Sequence, residues 1–310
     1  MRMKKQSKQR RRNRRKGLLA FVIVLLLVVW GGVKLPLVFT ESVEEAAFGS
    51  TALYRSKTVD NALMRTGDLI LVNGGYAYDF EQAETKYPIA SLKNDSYQVK
   101  NDEISLNKKT IKQFNALFRA FERHTGHNNV SIISAYRDYA YQESVLNDYI
   151  SSYGYDTAMD YVAMPGFSEH HTGLAADIAV ADEAGETETF TGEDEYAFVG
   201  ENAWKYGFIN RYPADKTGVT GIANEPWHYR YVGKAHAYVM REKGMCLEEY
   251  EEYLRNFTFG QSCLSVNIHG DDYKIYYIPA GEGSTRLQVP LFGRYTVSGN
   301  NMDGFIVTVY

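Results

Sequence analysis

The chain has 310 residues, 45% apolar and 23% charged, with two cysteines. That composition excludes wholesale disorder, collagen and coiled coil, and two cysteines are too few for a disulfide scaffold or a four-cysteine zinc site. Ten of the 34 Lys and Arg fall in residues 1–16, which hold no Asp or Glu, so the rest of the chain sets 24 cations against 38 acids, a net charge of −14. An acidic body is not a nucleic-acid binder, and the basic head needs its own explanation.

Seventeen residues without a charge, Gly17 to Val33, follow that head. As a helix they span about 26 Å at ~1.5 Å per residue, a little under the ~30 Å hydrocarbon core. Lys34 can snorkel, Leu35 to Phe39 extend the apolar run, and Trp30 suits the interface. The cations lie before the span, so the N-terminus is expected in the cytoplasm and the body outside. A cleaved signal peptide is the alternative. It needs small residues soon after the apolar run, whereas Lys34, Leu35 and Pro36 follow here and Ala46-Ala47 lie far downstream. The expected layout is a basic cytoplasmic head (1–16), a transmembrane anchor (17–39), a polar stalk (40–60), a catalytic domain (61–259) and a small β-hairpin module (260–310).

Within the body, Asp68 to Asn73 followed by Gly74-Gly75 reads as a strand and turn. Ile111, Phe114, Leu117, Phe118 and Phe121 recur at helical spacing over 107–125, with Gly126 as the stop. Val130 to Ser134 reads as a strand and 138–150 as a helix. Pro165-Gly166 breaks the chain, and Leu174 to Val180 reads as a strand. A helix is expected near 194–206, then a Gly-, Pro- and Asn-rich loop to Glu225–Tyr231, then helices near 234–244 and 247–256. After Gly260 come short β-rich runs at 273–278, 286–289, 294–297 and 305–309. Helices and strands do not alternate strictly, which favours α+β over a doubly wound parallel sheet. The C-terminal module is expected to cover a sheet edge or to shape the outer part of a substrate groove.

Of seven histidines, two keep chemically useful company. His170 sits in Ser168-Glu169-His170-His171-Thr172-Gly173-Leu174-Ala175-Ala176-Asp177, and His228 in Glu225-Pro226-Trp227-His228. Imidazoles and carboxylates are the ligand set of a catalytic zinc with an open position. His170 and Asp177 are seven residues apart, so a straight strand would point them to opposite faces; Thr172-Gly173 offers a turn or bulge that re-aims the histidine. Pro226 keeps Glu225 out of a helix, placing Glu225 and His228 on a strand end or tight turn. The helical HExxH motif is absent from this chain. Cys246 and Cys263 are either a disulfide or two free thiols.

These blocks, with Ser134-Ala135-Tyr136-Arg137 and Gln142 upstream, resemble the VanY-type D-alanyl-D-alanine metallocarboxypeptidases, within the wider lysostaphin and hedgehog zinc group. The resemblance runs over roughly 65–257, and His171 stands where relatives often carry glutamine. It implies a hedgehog/DD-peptidase-like α+β fold with a central antiparallel sheet flanked by helices, one Zn2+ per chain, and bacterial peptidoglycan stem peptides or lipid-linked precursors as substrate. By the same resemblance His170, Asp177 and His228 are the metal ligands, and Glu225 is the general base. Arg137 takes a catalytic and substrate-binding role, and Gln142, Ser168 and Trp227 line the pocket. The expected activity is a membrane-anchored zinc D,D-carboxypeptidase. The alternatives are an L,D-carboxypeptidase acting on tetrapeptides and a zinc-containing, non-catalytic cell-wall binding protein. An endopeptidase fits less well.

Overall fold

The computed structural model describes residues 41–182 and 184–310. The expected cytoplasmic head and membrane span, residues 1–39, lie outside them. Among the described residues no helix is long and apolar enough to cross a membrane.

In chain order the strands are β1 (Ser42–Ala47), β2 (Tyr54–Asp60), β3 (Tyr87–Pro88), β4 (Gln98–Val99), β5 (Ser105–Leu106), β6 (Val130–Ser134), β7 (Ala175–Ala181), β8 (Thr187–Thr189), β9 (Phe208–Tyr212), β10 (Glu225–Tyr231), β11 (Ser262–Ile268), β12 (Asp271–Pro279), β13 (Ser284–Pro290), β14 (Tyr295–Gly299) and β15 (Gly304–Val309). The α-helices are α1 (Lys108–Thr125), α2 (Tyr139–Tyr153), α3 (Tyr155–Tyr161), α4 (Ala197–Asn202), α5 (Thr217–Thr220), α6 (Lys234–Lys243) and α7 (Leu247–Leu254).

One sheet runs β4-β6-β7-β10-β9, with β8 added to β7. Its pairs are antiparallel except β4 with β6. Helix α1 lays its apolar stripe against this sheet, burying Ile111, Phe114, Leu117, Phe118 and Phe121. Phe114 stacks on Phe208 of β9 with ring centroids 4.1 Å apart. The helix ends where Gly126 takes the left-handed conformation, φ 81°, and closes a bond to the Glu122 carbonyl.

The second sheet runs β1-β11-β12-β15-β14, and β2 pairs with β13. The expected stalk is therefore folded structure. Ser42 to Ala47 pair residue for residue with Asn267 to Ser262, and Tyr54 to Asp60 with Pro290 to Ser284. Both segments read as polar because they lie along edges: of the seven residues of β2, only Val59 is buried. Phe48 and Val59 pack with Tyr276, Leu287, Val289, Phe305 and Val307 between the two β layers.

Asp68 to Asn73 also departs from expectation. Leu69, Ile70, Leu71 and Val72 are buried, but the segment joins neither sheet. Side chains and loop carbonyls replace ladder partners: the Leu71 N–H donates to Asn300 O, Leu69 N–H to Ser298 Oγ, and Arg230 Nη2 to the carbonyls of Asp68 and Ile70. Strand β9 lies inside the stretch read as a loop, since five residues, FINRY, show too little alternation to stand out.

The C-terminal module buttresses the two helices after β10. Val232, Ala235, Tyr238, Leu247 and Tyr250 share one core with Leu264, Ile268, Ile275 and Ile306. Buried His236 of α6 fastens this junction, with Nδ1 at 2.8 Å from the Tyr250 hydroxyl and Nε2 at 2.8 Å from Thr308 Oγ1. Burial pushes its imidazole down to about 3. The unfolded chain binds that proton near pH 6.5, so stability is full above 6.5 and falls as pH drops from there towards 3. Replacing His236 with Gln removes this dependence. Denaturant titrations between pH 7.5 and 5 are expected to show wild type losing stability more steeply than His236→Gln, by up to ~1.4 kcal/mol per pH unit.

Candidate metal centre and catalytic cleft

A short 3-10 turn, Glu169–Thr172, delivers the first histidine. Ser168 Oγ caps it by accepting the His170 N–H at 3.3 Å, and Thr172 Oγ1 donates to the Glu169 carbonyl at 2.6 Å. Gly173 ends it at φ 69°, where a Cβ would collide with the Lys86 side chain. The chain then enters β7, and the antiparallel register sets Asp177 opposite His228 of β10. His170 thus sits on a turn ahead of the strand, which lets it face Asp177.

His170 Nε2 lies 3.3 Å from Asp177 Oδ2, and His228 Nδ1 lies 3.0 Å from Asp177 Oδ1. One donor atom from each of the three residues falls within 4.8 Å of the others. The imidazoles are backed on their far sides: His170 Nδ1 donates to the Ala135 carbonyl at 2.6 Å, and His228 Nε2 faces Glu169 Oε2 at 3.6 Å. Asp177 Oδ1 is buried with no hydrogen-bond partner. Two imidazole nitrogens aimed at a carboxylate whose oxygen lacks a partner fit a divalent cation, and the mixed donor set fits Zn2+ with a position left open.

Burial opposes ionisation of Asp177, yet His170 and His228 hold its carboxyl well below the usual range. Burial works against a charged His228, but the carboxylates of Asp177 and Glu169 beside it raise it to about 9, so a cation binding here displaces the His228 proton. Burial, with Arg137 adding, lowers His170 to about 4 and keeps it a neutral donor.

Glu225 opens β10, ahead of Pro226, where the β9–β10 register breaks between Glu225 and Tyr229. Its Oε2 lies 3.6 Å from His228 Nδ1. Burial pushes the carboxyl up to about 8; His228 opposes this and Asp177 adds to it.

Arg137 is nine-tenths buried and held from several sides. Its Nη1 donates to Gln142 Oε1 at 2.9 Å, Nη2 lies 3.5 Å from Asp177 Oδ2, and Nε has no partner. Gln142 spends its other end on the Ala163 carbonyl at 2.8 Å, so it orients Arg137 rather than presenting a free amide. His171 turns away from the centre: Nδ1 donates to the Arg137 carbonyl at 2.6 Å and Nε2 accepts from the Gly166 N–H at 3.0 Å. Arg137 and Gln142, with His170, Asp177, Glu225, His228, Ser168, Tyr149, Tyr212 and half-buried Trp227, line a cleft of about 440 Å³. Among the described residues, none of 260–310 lines it. Both cysteines are free and buried.

Sequence reasoning gave no role to Glu169, Arg211 or Arg230. Glu169 is fully buried, and its Oε1 accepts from Arg211 Nε and Arg230 Nη1, each at 2.8 Å. Arg211 also grips Glu248 through two bonds of 2.9 and 2.6 Å. Burial disfavours the Glu169 carboxylate, but the two guanidiniums and His228 hold it well below the carboxylate range. Spacing carried a signal: Arg230 follows His228 by two, which on a strand is the same face.

His170→Ala, Asp177→Ala and His228→Ala are each expected to abolish stoichiometric zinc, while His171→Ala and His236→Ala retain it. Glu169→Gln is expected to weaken zinc about 10–100-fold by removing the acceptor behind His228. Chelator competition on the purified variants measures all six.

Residues 103–234 match the family model of VanY, D-alanyl-D-alanine carboxypeptidase. A D-alanyl-D-alanine carboxypeptidase of Enterococcus faecium is 35% identical over 267 residues, covering 84% of this chain and 81% of that one. The solved vancomycin-resistance D,D-dipeptidase VanXYg, in complex with a D-Ala-D-Ala phosphinate analogue, is 28% identical with a TM-score of 0.74, covering 83% of this chain and 99% of the other. A mutant VanY D,D-pentapeptidase from a VanB-type resistance cassette, in complex with Zn(II), is 33% identical with a TM-score of 0.50, covering 59% and 98%. By sequence and by fold, the chain belongs to the VanY family of D-alanyl-D-alanine metallocarboxypeptidases.

Proposed function

We propose that the protein is a zinc D,D-carboxypeptidase that removes the terminal D-alanine from peptidoglycan stem peptides or their lipid-linked precursors. The observation that carries this reading is the convergence of His170, Asp177 and His228 beside Glu225, with Arg137 on the same cleft wall. The names of the relatives support the substrate class. Held by those three side chains, Zn2+ supplies Lewis-acid chemistry, polarising a carbonyl and making water a nucleophile near neutral pH.

The chain's own residues do the rest. Glu225 takes the proton from the attacking water and hands it to the amine that leaves when the C–N bond breaks. Arg137 presents a planar fork, which suits the free terminal carboxylate of an exopeptidase substrate through charge-assisted bonds. Gln142 holds that fork by accepting from Nη1, and His171 holds the Arg137 backbone by donating to its carbonyl. Ser168 and Trp227 border the bound peptide.

Glu225→Gln keeps the size but cannot accept a proton. It is expected to retain zinc and to lose at least ~10²-fold in activity on peptides ending in D-Ala-D-Ala. Arg137→Lys is expected to lower kcat/KM on the free acid and to change little on the C-terminally amidated peptide, which already lacks the partner. Equal cleavage of acid and amide excludes an exopeptidase. Release only from tetrapeptides assigns L,D specificity, and no release from any peptide leaves a zinc-containing binding protein.

The reading includes a cell-membrane location, single-pass, with residues 17–39 as the anchor, the N-terminus cytoplasmic and the catalytic domain outside. It is supported by the uncharged run Gly17–Val33 behind ten cations. A reporter fused after Tyr310 is expected to be active only outside the cytoplasm; activity of a cytoplasm-only reporter reverses the orientation.

A further inference from the structure

The second β layer carries a surface that catalysis does not use. Strands β2 and β13 bring Leu53 and Leu291 to the same end, where the Leu291 N–H donates to the Leu53 carbonyl at 2.8 Å. Three large apolar side chains stand out there: Leu53 is 61% exposed, Leu291 45% and Phe292 77%. Single exposed apolar residues are ordinary, but three on adjoining loop tips form a patch.

The charge around the patch runs against the rest of the body. Residues 49–59 and 283–300 contain no Asp or Glu, and they hold Arg55, Lys57, Arg286 and Arg294, all exposed. Among the described residues none of these four forms an ion pair. The Arg294 guanidinium lies 5.2 Å from the ring of Tyr310, so an aromatic with a polar end also borders the tip. In a chain with a net charge of −14 outside its basic head, Arg55 and Arg294 thus flank the tip, each two residues from one of its apolar side chains, while Lys57 and Arg286 stand further along the same two strands, opposite Leu287 and Thr58.

We propose that this tip, Leu53, Leu291 and Phe292 flanked by Arg55 and Arg294, with Lys57 and Arg286 further along the strands, inserts into the headgroup layer of a bilayer that carries anionic lipid. The occupant follows from the combination. Cations alone would serve a soluble polyanion, and apolar side chains alone would serve a protein groove; an apolar tip flanked by cations, with more cations along the strands behind it, matches an interface with acyl chains below anionic headgroups. The anchor reading above supplies the membrane on which this proposal rests.

The test uses the full chain reconstituted in vesicles. Cys246 and Cys263 are buried, so a cysteine introduced by Leu53→Cys takes an environment-sensitive fluorophore selectively. A second preparation labels Leu25→Cys within the anchor. In vesicles with anionic lipid the probe at position 53 is expected to shift its emission to the blue and to be quenched several-fold less by iodide. Protection should fall when Phe292→Ser or Arg294→Glu is added, in zwitterionic vesicles, and at 1 M salt, where the Debye length shrinks from about 10 Å to 3 Å. Cleavage of a soluble peptide by each variant confirms folding. If the probe at 25 is protected and the probe at 53 stays in water, the tip proposal is overturned and the anchor stands. If the probe at 25 is in water, the anchor reading fails, and the probe at 53 alone then decides the tip. Equal protection by a soluble anionic polymer without lipid also overturns the proposal.

Discussion

Across an antiparallel pair, residues directly opposite hold their Cβ atoms roughly 4.5–5.5 Å apart. Asp177 and His228 occupy such a position on β7 and β10, and the metal centre is assembled around it. A slip of β7 by one residue would turn Asp177 to the other face, away from His228, and bring Ile178 and Ala176 out of the core that α1 covers. The burial of those apolar neighbours therefore holds the ligands in register. The site borrows its precision from the sheet, and only His170 and Glu225 need local devices, a capped turn in one case and a broken register before a proline in the other.

Behind the ligands lies a set of buried charges that closes on itself. Glu169 and Glu248 face Arg211 and Arg230, two carboxylates against two guanidiniums, with Arg211 shared between both acids. Removing one member of a buried ion pair strands its partner at a cost of about 3–5 kcal/mol, whereas a matched set is close to neutral against an apolar alternative. The cluster is thus better explained by what it positions than by net stability. It fixes the far nitrogen of His228 and, through Arg230, clamps the carbonyls of Asp68 and Ile70, a buried segment that no sheet supports. Arg230 thus links the ligand geometry to an irregular backbone segment.

Much of the site was legible because its residues are chemically unusual and close in sequence. His170 to Asp177 and Glu225 to His228 are short blocks, and helix α1 announced itself through five apolar residues at one spacing. What escaped was governed by distant contacts. Strands β1 and β2 carry polar, edge-type sequences whose partners lie more than 200 residues away, so nothing local marked them as folded. Leu69 to Val72 had the composition of a strand, but its polar groups are taken by Arg230, Ser298 and Asn300. Glu169 stood inside the recognised motif and still passed unnoticed, since its role depends on arginines 42 and 61 residues further along. The acceptor work of Gln142 was likewise hidden, as an amide in a pocket reads equally as a ligand contact or as a brace.

The pairing of β1 with β11 and of β2 with β13 also bears on how the chain acquires its shape. The last fifty residues hold the partners of residues 42–60, so both pairings close loops of more than 200 residues. Closing a loop of that length is an entropic expense met before its contacts reward it, and such non-local pairing slows folding. Chain emerging in order from its N-terminus must keep β1 and β2 waiting as unpaired edges until β11 and β13 arrive. The catalytic sheet, whose strands all fall between residues 98 and 231, can pair beforehand, but the core shared by α6, α7 and the second sheet is completed only with the final strands.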